Sequence, residues 1–326
     1  MPDVPAPDVP APDVPAPDVP APDVPAPDVP APPVPGVPLA VALPSPLTEL
    51  ADDRLARAGI RLYLKRDDLI NPDFPGNKWR KLSLNLAAAR HAGSTALGTF
   101  GGAYSNHIRA VAAAGQRFGF ATIGVIRGEE HQPLNPSLRA AAARGMRLTY
   151  MDRATYRRKM EPAVIEALRD RFGDFYVLPE GGSNGLAARG CTRIPAEIGV
   201  PFDVICCPCG TGGTLAGVAA GLHGGQRALG FSALRGGGRF LPAAVTALQD
   251  EAFGGRAGQW EIDDRFHFGG FARRNAELDG FIADFADRHG LTLDWVYVAK
   301  MMYGIYARAG EGALAPGTTA VAVITG

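Results

Sequence analysis

The chain has 326 residues, 46% of them hydrophobic, with 33 basic and 33 acidic side chains. That length can support two packed bodies. The neutral balance argues against a nucleic-acid-binding surface, and no apolar run reaches membrane-spanning length without Gly, Pro or charge.

In chain order, the first feature is a repeat. From Pro2 to Ala31 the pentamer Pro-Asp-Val-Pro-Ala occurs six times. Proline at this density fixes φ and removes backbone donors, so residues 1–38 are predicted to be a disordered, polyproline-II-like tail that packs no core. It reads as a dispensable spacer or as a ligand for an aromatic groove. It lacks the basic start and continuous apolar stretch of a secretory signal. The repeats hold six aspartates and no basic residue, leaving 33 basic against 27 acidic residues elsewhere, a net charge of +6. That mild excess suits an anionic small molecule.

Beyond Leu39, short β-branched or aromatic runs alternate with longer Ala-rich helical patterns. Strands are predicted at Arg61–Lys65, Ala96–Phe100, Thr122–Ile126, Arg147–Met151, Phe175–Leu178, Val204–Cys209, Leu229–Ala233 and Thr319–Ile324. Helices are predicted at Leu82–Ala92, Asn106–Phe118, Pro136–Arg144, Ala163–Arg171, Gly213–Gly221 and Glu277–His289. Such alternation gives an α/β fold of mostly parallel sheets, with sites at the carboxyl ends of the strands.

Four stretches fall at such ends. In Gly76-Asn77-Lys78-Trp79-Arg80-Lys81-Leu82 a lysine stands just inside a helix start, where backbone N–H groups favour its neutral, nucleophilic form. That suits Schiff-base chemistry with a carbonyl cofactor, although an isolated lysine of this kind usually coats a helix end. In Gly101-Gly102-Ala103-Tyr104-Ser105-Asn106-His107 two glycines allow close backbone approach, while ordinary capping by Ser105 or Asn106 explains the turn equally well. His107 reads as a helix-surface or core histidine. Pro179-Glu180-Gly181-Gly182-Ser183-Asn184-Gly185 reads as a hinge between domains. In Gly210-Thr211-Gly212-Gly213-Thr214, glycines and hydroxyls converge on a helix start, an arrangement that holds a phosphate. A dinucleotide site is the rival reading, but the following strand, Gly230-Phe231-Ser232-Ala233-Leu234, carries no acidic ribose partner at its end. Cys191, Cys206, Cys207 and Cys209 lack the spacing of a metal site and are expected to be buried, reduced thiols in a cytoplasmic protein.

Taken together, these stretches, with Val296-Tyr297, Lys300 to Gly304 and Thr325-Gly326, resemble the fold-type-II pyridoxal-phosphate enzymes related to the tryptophan synthase β subunit. Within these the chain is similar to the 1-aminocyclopropane-1-carboxylate (ACC) deaminase/D-cysteine desulfhydrase family. The resemblance implies two three-layer α/β domains with pyridoxal 5'-phosphate in the cleft between them. Residues 39–80 and 182–326 would form the larger domain and 81–181 an inserted smaller one. It also implies a homodimer acting on a small amino acid, while charge, hydropathy and cysteine spacing give no expectation of nucleic acid, membrane or metal. Lys78 would carry the cofactor and move the Cα proton. Lys81, Asn106 and the loop of Gly210, Thr211, Gly212, Gly213 and Thr214 would hold the cofactor. Ser105 would meet the substrate and Tyr297 would act as acid, base or orienting phenol.

Two departures bear on the reaction. ACC deaminases carry a glutamate after the tyrosine that corresponds to Tyr297, where this chain has Val298, so the hydroxyl of Thr325 is expected to meet the ring nitrogen instead. Phe271 stands where the family has a second tyrosine. A weaker electron sink suits elimination of a good β leaving group, giving a 2-oxo acid and ammonia, better than cyclopropane opening. ACC deaminase activity, or cofactor binding with little turnover, is the alternative.

Overall fold

The computed structural model describes residues 41–74 and 76–325. The repeat tail expected over residues 1–38 lies outside the described residues. The elements run β1 (Leu47–Leu50), α1 (Asp53–Arg57), β2 (Arg61–Lys65), α2 (Lys78–His91), β3 (Ala96–Gly101), α3 (Asn106–Phe118) and β4 (Ala121–Arg127). Then follow α4 (Pro136–Ala143), β5 (Arg147–Met151), α5 (Arg153–Arg157), α6 (Pro162–Phe172), β6 (Tyr176–Leu178), α7 (Gly185–Cys191), α8 (Arg193–Ala196) and β7 (Val204–Cys209). The last are α9 (Gly213–Ala220), β8 (Arg227–Ser232), α10 (Gly237–Phe253), β9 (Gln259–Asp263), α11 (Ala276–His289), α12 (Val298–Gly310) and β10 (Thr319–Val323).

These strands form two sheets, one of six in the order β1-β2-β10-β7-β8-β9 and one of four in the order β5-β4-β3-β6. Every pairing is parallel except the edge pair β1–β2. Parallel strands need both faces covered, and both sheets are. On one side of the six-stranded sheet Leu62, Cys206, Phe231 and Ala322 pack against Leu55 of α1, Phe285 of α11 and Met301 and Ile305 of α12. On the other, Ile205, Cys207, Val321 and Val323 meet Ala188 of α7, Leu215 of α9 and Leu241 of α10. The smaller sheet is covered by α2, α3 and α4 on one face and by α5 and α6 on the other. The expected mixed α/β fold with mostly parallel sheets is therefore observed.

All four cysteines are free and buried, with Cys206 and Cys207 on opposite faces of β7. Burial pushes the Cys206 thiol up to about 12, as expected for an inert core thiol. Among the described residues no helix is long and apolar enough to cross a membrane.

The helix of the Lys-Trp-Arg-Lys stretch begins at Lys78, one turn before the apolar periodicity suggested. A buried ion network holds that first turn. Arg80, only 3% exposed, donates from Nε and Nη2 to Asp67 at 2.7 and 2.8 Å and from Nη1 and Nη2 to Glu197 at 2.7 and 2.8 Å. Lys65, at the end of β2, reaches Glu197 at 2.8 Å and donates to the Ser45 carbonyl at 2.6 Å. Burial alone would raise the Glu197 carboxyl, but the Arg80 and Lys65 contacts win and hold it near 2, below its ordinary 4.5. A depressed carboxyl stabilises the fold above its unfolded pKa and loses that contribution as pH falls toward the folded value. Glu197→Gln is therefore expected to cost roughly 3 kcal/mol at neutral pH by urea unfolding. The gap from wild type should shrink between about pH 4.5 and about 2. A gap constant with pH would contradict this account.

Candidate active site

The carboxyl ends of β3, β4, β6, β7, β8 and β10 and the start of α2 converge on a cleft of about 510 Å³ between the two sheets. Every residue expected to act lines it: Lys78, Lys81, Ser105, Asn106, Gly210, Thr211, Gly212, Gly213, Thr214, Tyr297 and Thr325. The chain approaches it through Gly76 in a left-handed conformation (φ 62°), where an added Cβ would overlap the Thr325 carbonyl. Glycine is thus needed there on two counts, and the Lys78 loop is seated directly on the end of β10.

Lys78 is the first residue of α2, and its Nζ donates to Asn77 Oδ1 at 2.7 Å. Asn77 in turn donates to the Thr214 hydroxyl. Burial first, and then the neighbouring Lys81 ammonium, lower the Lys78 amine to about 7. Neutral solution therefore contains much of it unprotonated. Lys81, one turn on, donates to the Gly181 carbonyl at 3.1 Å and to Ser183 Oγ at 3.0 Å.

Opposite Lys81, α9 opens after Gly212, whose φ is 81°, with no side chain capping its first turn. A Cβ on Gly213 would stand 2.6 Å from Ser183 Oγ and 3.2 Å from Lys81 Nζ. Open backbone N–H groups, the hydroxyls of Thr211, Thr214 and Ser183, and a buried ammonium surround this concavity, and they suit a phosphate dianion. At the other end, Thr325 is buried and lines the cleft, whereas Val298 packs into the core beneath α12.

Tyr297 precedes α12, its backbone N–H held by Asp294 at 2.7 Å. Burial, then Asp294 and Glu180, push its phenol up, so it remains protonated. Gly210 lets the backbone pass beneath this ring: a Cβ there would meet Tyr297 Cε1 at 3.0 Å. Phe271 stands edge-on to the ring, with centroids 5.9 Å apart. Positive φ angles of 49° at Phe268 and 50° at Ala272 mark strain around Phe271. The buried Lys300 ammonium holds this loop by donating to the Gly270 carbonyl at 2.7 Å.

Ser105 caps α3, accepting from the Ile108 N–H, and Asn106 is the first residue of that helix. His107, 1% exposed, is a core histidine that also lines the cleft. Thr99 Oγ1 donates to the Leu178 carbonyl at 2.9 Å, so it accepts from His107 Nε2 at 2.8 Å. This assigns the neutral Nε2–H tautomer, consistent with burial lowering the imidazole far below its ordinary value. The turn expected as a hinge does join β6 of one sheet to α7 beside the other, and Gly181 and Ser183 also serve the site through Lys81. Sequence reasoning missed Arg127, Lys159 and the cleft-facing role of Glu180, which lie on separate elements and form no local motif.

Comparison with known proteins matches residues 41–326 to the pyridoxal-phosphate dependent enzyme family. A Thermotoga maritima protein, provisionally named a 1-aminocyclopropane-1-carboxylate deaminase, is 32% identical over 261 residues, spanning 76% of this chain and 83% of the relative. A D-cysteine desulfhydrase of Klebsiella pneumoniae is 28% identical over 285 residues, covering 81% and 86%. Among solved structures, an ACC deaminase homologue superposes with a TM-score of 0.74 at 28% identity, covering 86% of this chain and 89% of that one. The concavity of hydroxyls and open backbone N–H groups beside Lys81 and the depressed Lys78 amine fit pyridoxal phosphate.

The Lys78 amine is the reactive form and predominates above about pH 7. Borohydride trapping of pyridoxal phosphate on the cofactor-free protein, read by peptide mass spectrometry, should therefore modify Lys78 with a rate that rises through pH 7 and levels off by about pH 8. A midpoint near the ordinary lysine value of 10.5 would contradict the assigned environment.

Proposed function

The chain belongs to the pyridoxal-phosphate dependent enzyme family, and from that premise we propose that it is a deaminating lyase of D-cysteine desulfhydrase type. It would remove a Cα proton and a β leaving group from a small amino acid and, with water, release a 2-oxo acid and ammonium. The observation that carries the choice is the residue pair at the far end of the cleft: Thr325 lines it and Val298 does not. A hydroxyl there supports less positive charge on a ring nitrogen than a carboxylate would. Expulsion of thiolate or chloride tolerates that loss better than opening of a ring without a Cα hydrogen.

When bound, the cofactor supplies the electron sink that lets the Cα proton leave. The chain's own groups do the rest. Lys81, Ser183 and the Gly210 to Thr214 turn would hold its phosphate. Lys78, neutral near pH 7, would hold the cofactor covalently, and its amine would receive the Cα proton once displaced. Ser105 and the first turn of α3 would orient the substrate carboxylate, and Asn106, the first residue of that helix, would contact the cofactor. Tyr297, kept protonated, can donate to a departing group, and Phe271 stands edge-on against its ring. The division of the chain at residues 81 and 181 belongs to the same proposal, as do the homodimer and the cytoplasmic location, which rest on the resemblance and on the buried thiols. Any ligand role of the Pro-rich repeat remains separate from the chemistry.

ACC deaminase chemistry is the second reading, favoured by the name of the Thermotoga relative. Assays with D-cysteine, β-chloro-D-alanine and ACC side by side separate the two. Pyruvate from the first two and no 2-oxobutanoate from ACC is the expected result; release from ACC alone would reverse the choice. Lys78→Ala is expected to abolish both the visible absorption of the bound cofactor and turnover, a loss of at least roughly a thousandfold.

A further inference from the structure

We propose that Lys300 is a positioning residue: its ammonium ties the loop that carries Phe271 to the end of β8, and so fixes the wall that the substrate's side chain meets in the cleft. The proposal rests on the lyase reading above and concerns how that site selects among amino acids by size. Lys300 lies in the first turn of α12, three residues after Tyr297, and is 1% exposed. Its Nζ donates to the Gly270 carbonyl at 2.7 Å and stands 3.5 Å from the Ala233 carbonyl, a looser contact. No carboxylate among the described residues pairs with it, and Asp294 acts on it only from a distance.

The fold sets both supports of this tether. Helix α12 is pressed onto β8 at Gly304, where an added Cβ would overlap the Phe231 ring. Ala233 donates its N–H to the Cys209 carbonyl at 2.9 Å, directly before the Gly210 turn. The loop itself is strained, with non-glycine residues at positive φ on either side of Phe271 and Gly270: Phe268 at 49° and Ala272 at 50°. Such residues return to ordinary backbone unless their surroundings hold them. The first half of the loop is held by Phe268, edge-on to Tyr303 of α12 with centroids 4.9 Å apart. Lys300 holds the second half, one residue before Phe271. Phe271 stands against Tyr297 on one side and against the Gly102 turn on the other, where an added Cβ would lie 3.6 Å from its ring.

Stability does not explain a buried ammonium without a carboxylate. Burial lowers the Lys300 amine from its ordinary 10.5 to about 8, with Asp294 opposing that shift. A lysine lowered by the fold costs stability below its folded value, and the cost is relieved as pH rises toward the unfolded one. What the charge delivers is a stronger bond to the Gly270 carbonyl. Loss of the proton leaves a neutral amine with a weaker hold, so the tether loosens as pH rises through about 8. The other titratable groups on the elements around it are Arg235 after β8, Cys206 of β7, Tyr297 and Tyr303 of its own helix, and His267 and Arg273 in the loop. His267 Nδ1 accepts from the Gly269 N–H at 3.0 Å.

Hydrogen exchange of the cofactor-loaded full chain, read by mass spectrometry on peptides spanning 266–274 and corrected for intrinsic rates, tests the tether. The wild-type loop should exchange about tenfold faster at about pH 9 than at about pH 7. Lys300→Met should exchange about tenfold faster than wild type at about pH 7 and show no pH step, while Lys300→Arg, still charged, should stay protected at both. Lys300→Met is also expected to unfold in urea at or above the wild-type midpoint, since it removes a buried charge. The wild-type pH step needs no variant. For the site, calorimetry should show alanine binding about tenfold tighter than phenylalanine of the same configuration, a ratio that falls about tenfold in Lys300→Met and is kept in Lys300→Arg. An absent pH step, an unchanged loop in Lys300→Met, faster exchange over the whole chain with a lower urea midpoint, or an unchanged binding ratio would each overturn the proposal. Pyruvate release from β-chloroalanine is measured alongside: its absence, with the loop and binding results intact, would sink the lyase reading and leave the tether standing.

Discussion

Arg80 is gripped by two carboxylates from different parts of the chain, Asp67 just after β2 and Glu197 just after α8. Burying three charges in this way is a weak route to stability, because desolvation consumes most of the attraction. What it secures is geometry. The guanidinium fork fits both partners in only one rotation of α2, and any slip would leave a buried charge unmatched. Lys78 lies two residues upstream, so its approach to the cleft is fixed by an interaction that never touches a ligand.

The same helix sets the electrostatics of the site. Lys78 and Lys81 are three residues apart and share one face; burial lowers both amines, and the Lys81 charge lowers Lys78 further. Lys81 can keep its charge through the Gly181 carbonyl, Ser183 and an incoming phosphate, whereas Lys78 has only the Asn77 amide oxygen. In the proposed function one lysine thus holds an anion and the other serves as nucleophile, although both belong to a single turn. A bound phosphate would ease the repulsion and raise the Lys78 amine again.

The fold was legible where periodicity was strong. Arg61–Lys65, Arg147–Met151, Val204–Cys209 and Asn106–Phe118 match their observed bounds. The edge strands β1 and β9 were missed because a short strand with one covered face carries little apolar signal. Helix α10 was hidden by the glycines at its start and by Pro242 within it, and α12 by the glycine and aromatic residues that pack it against β8. In the cleft, each glycine-rich turn was visible as a motif. Arg127 was not, since by sequence it is merely the last residue of a strand, and its place in the cleft exists only in three dimensions.

The position of β10 has a further consequence. Thr319–Val323 pairs with β2 on one side and β7 on the other, joining two halves of a sheet whose other strands all precede it in the chain. As the polypeptide is synthesised, β2 and β7 must each wait with an unpaired edge until this strand emerges, and Gly76 must wait for Thr325. Assembly of the larger sheet is therefore a late, long-range event, and the nascent chain spends that interval presenting two sticky edges that a chaperone would have reason to cover.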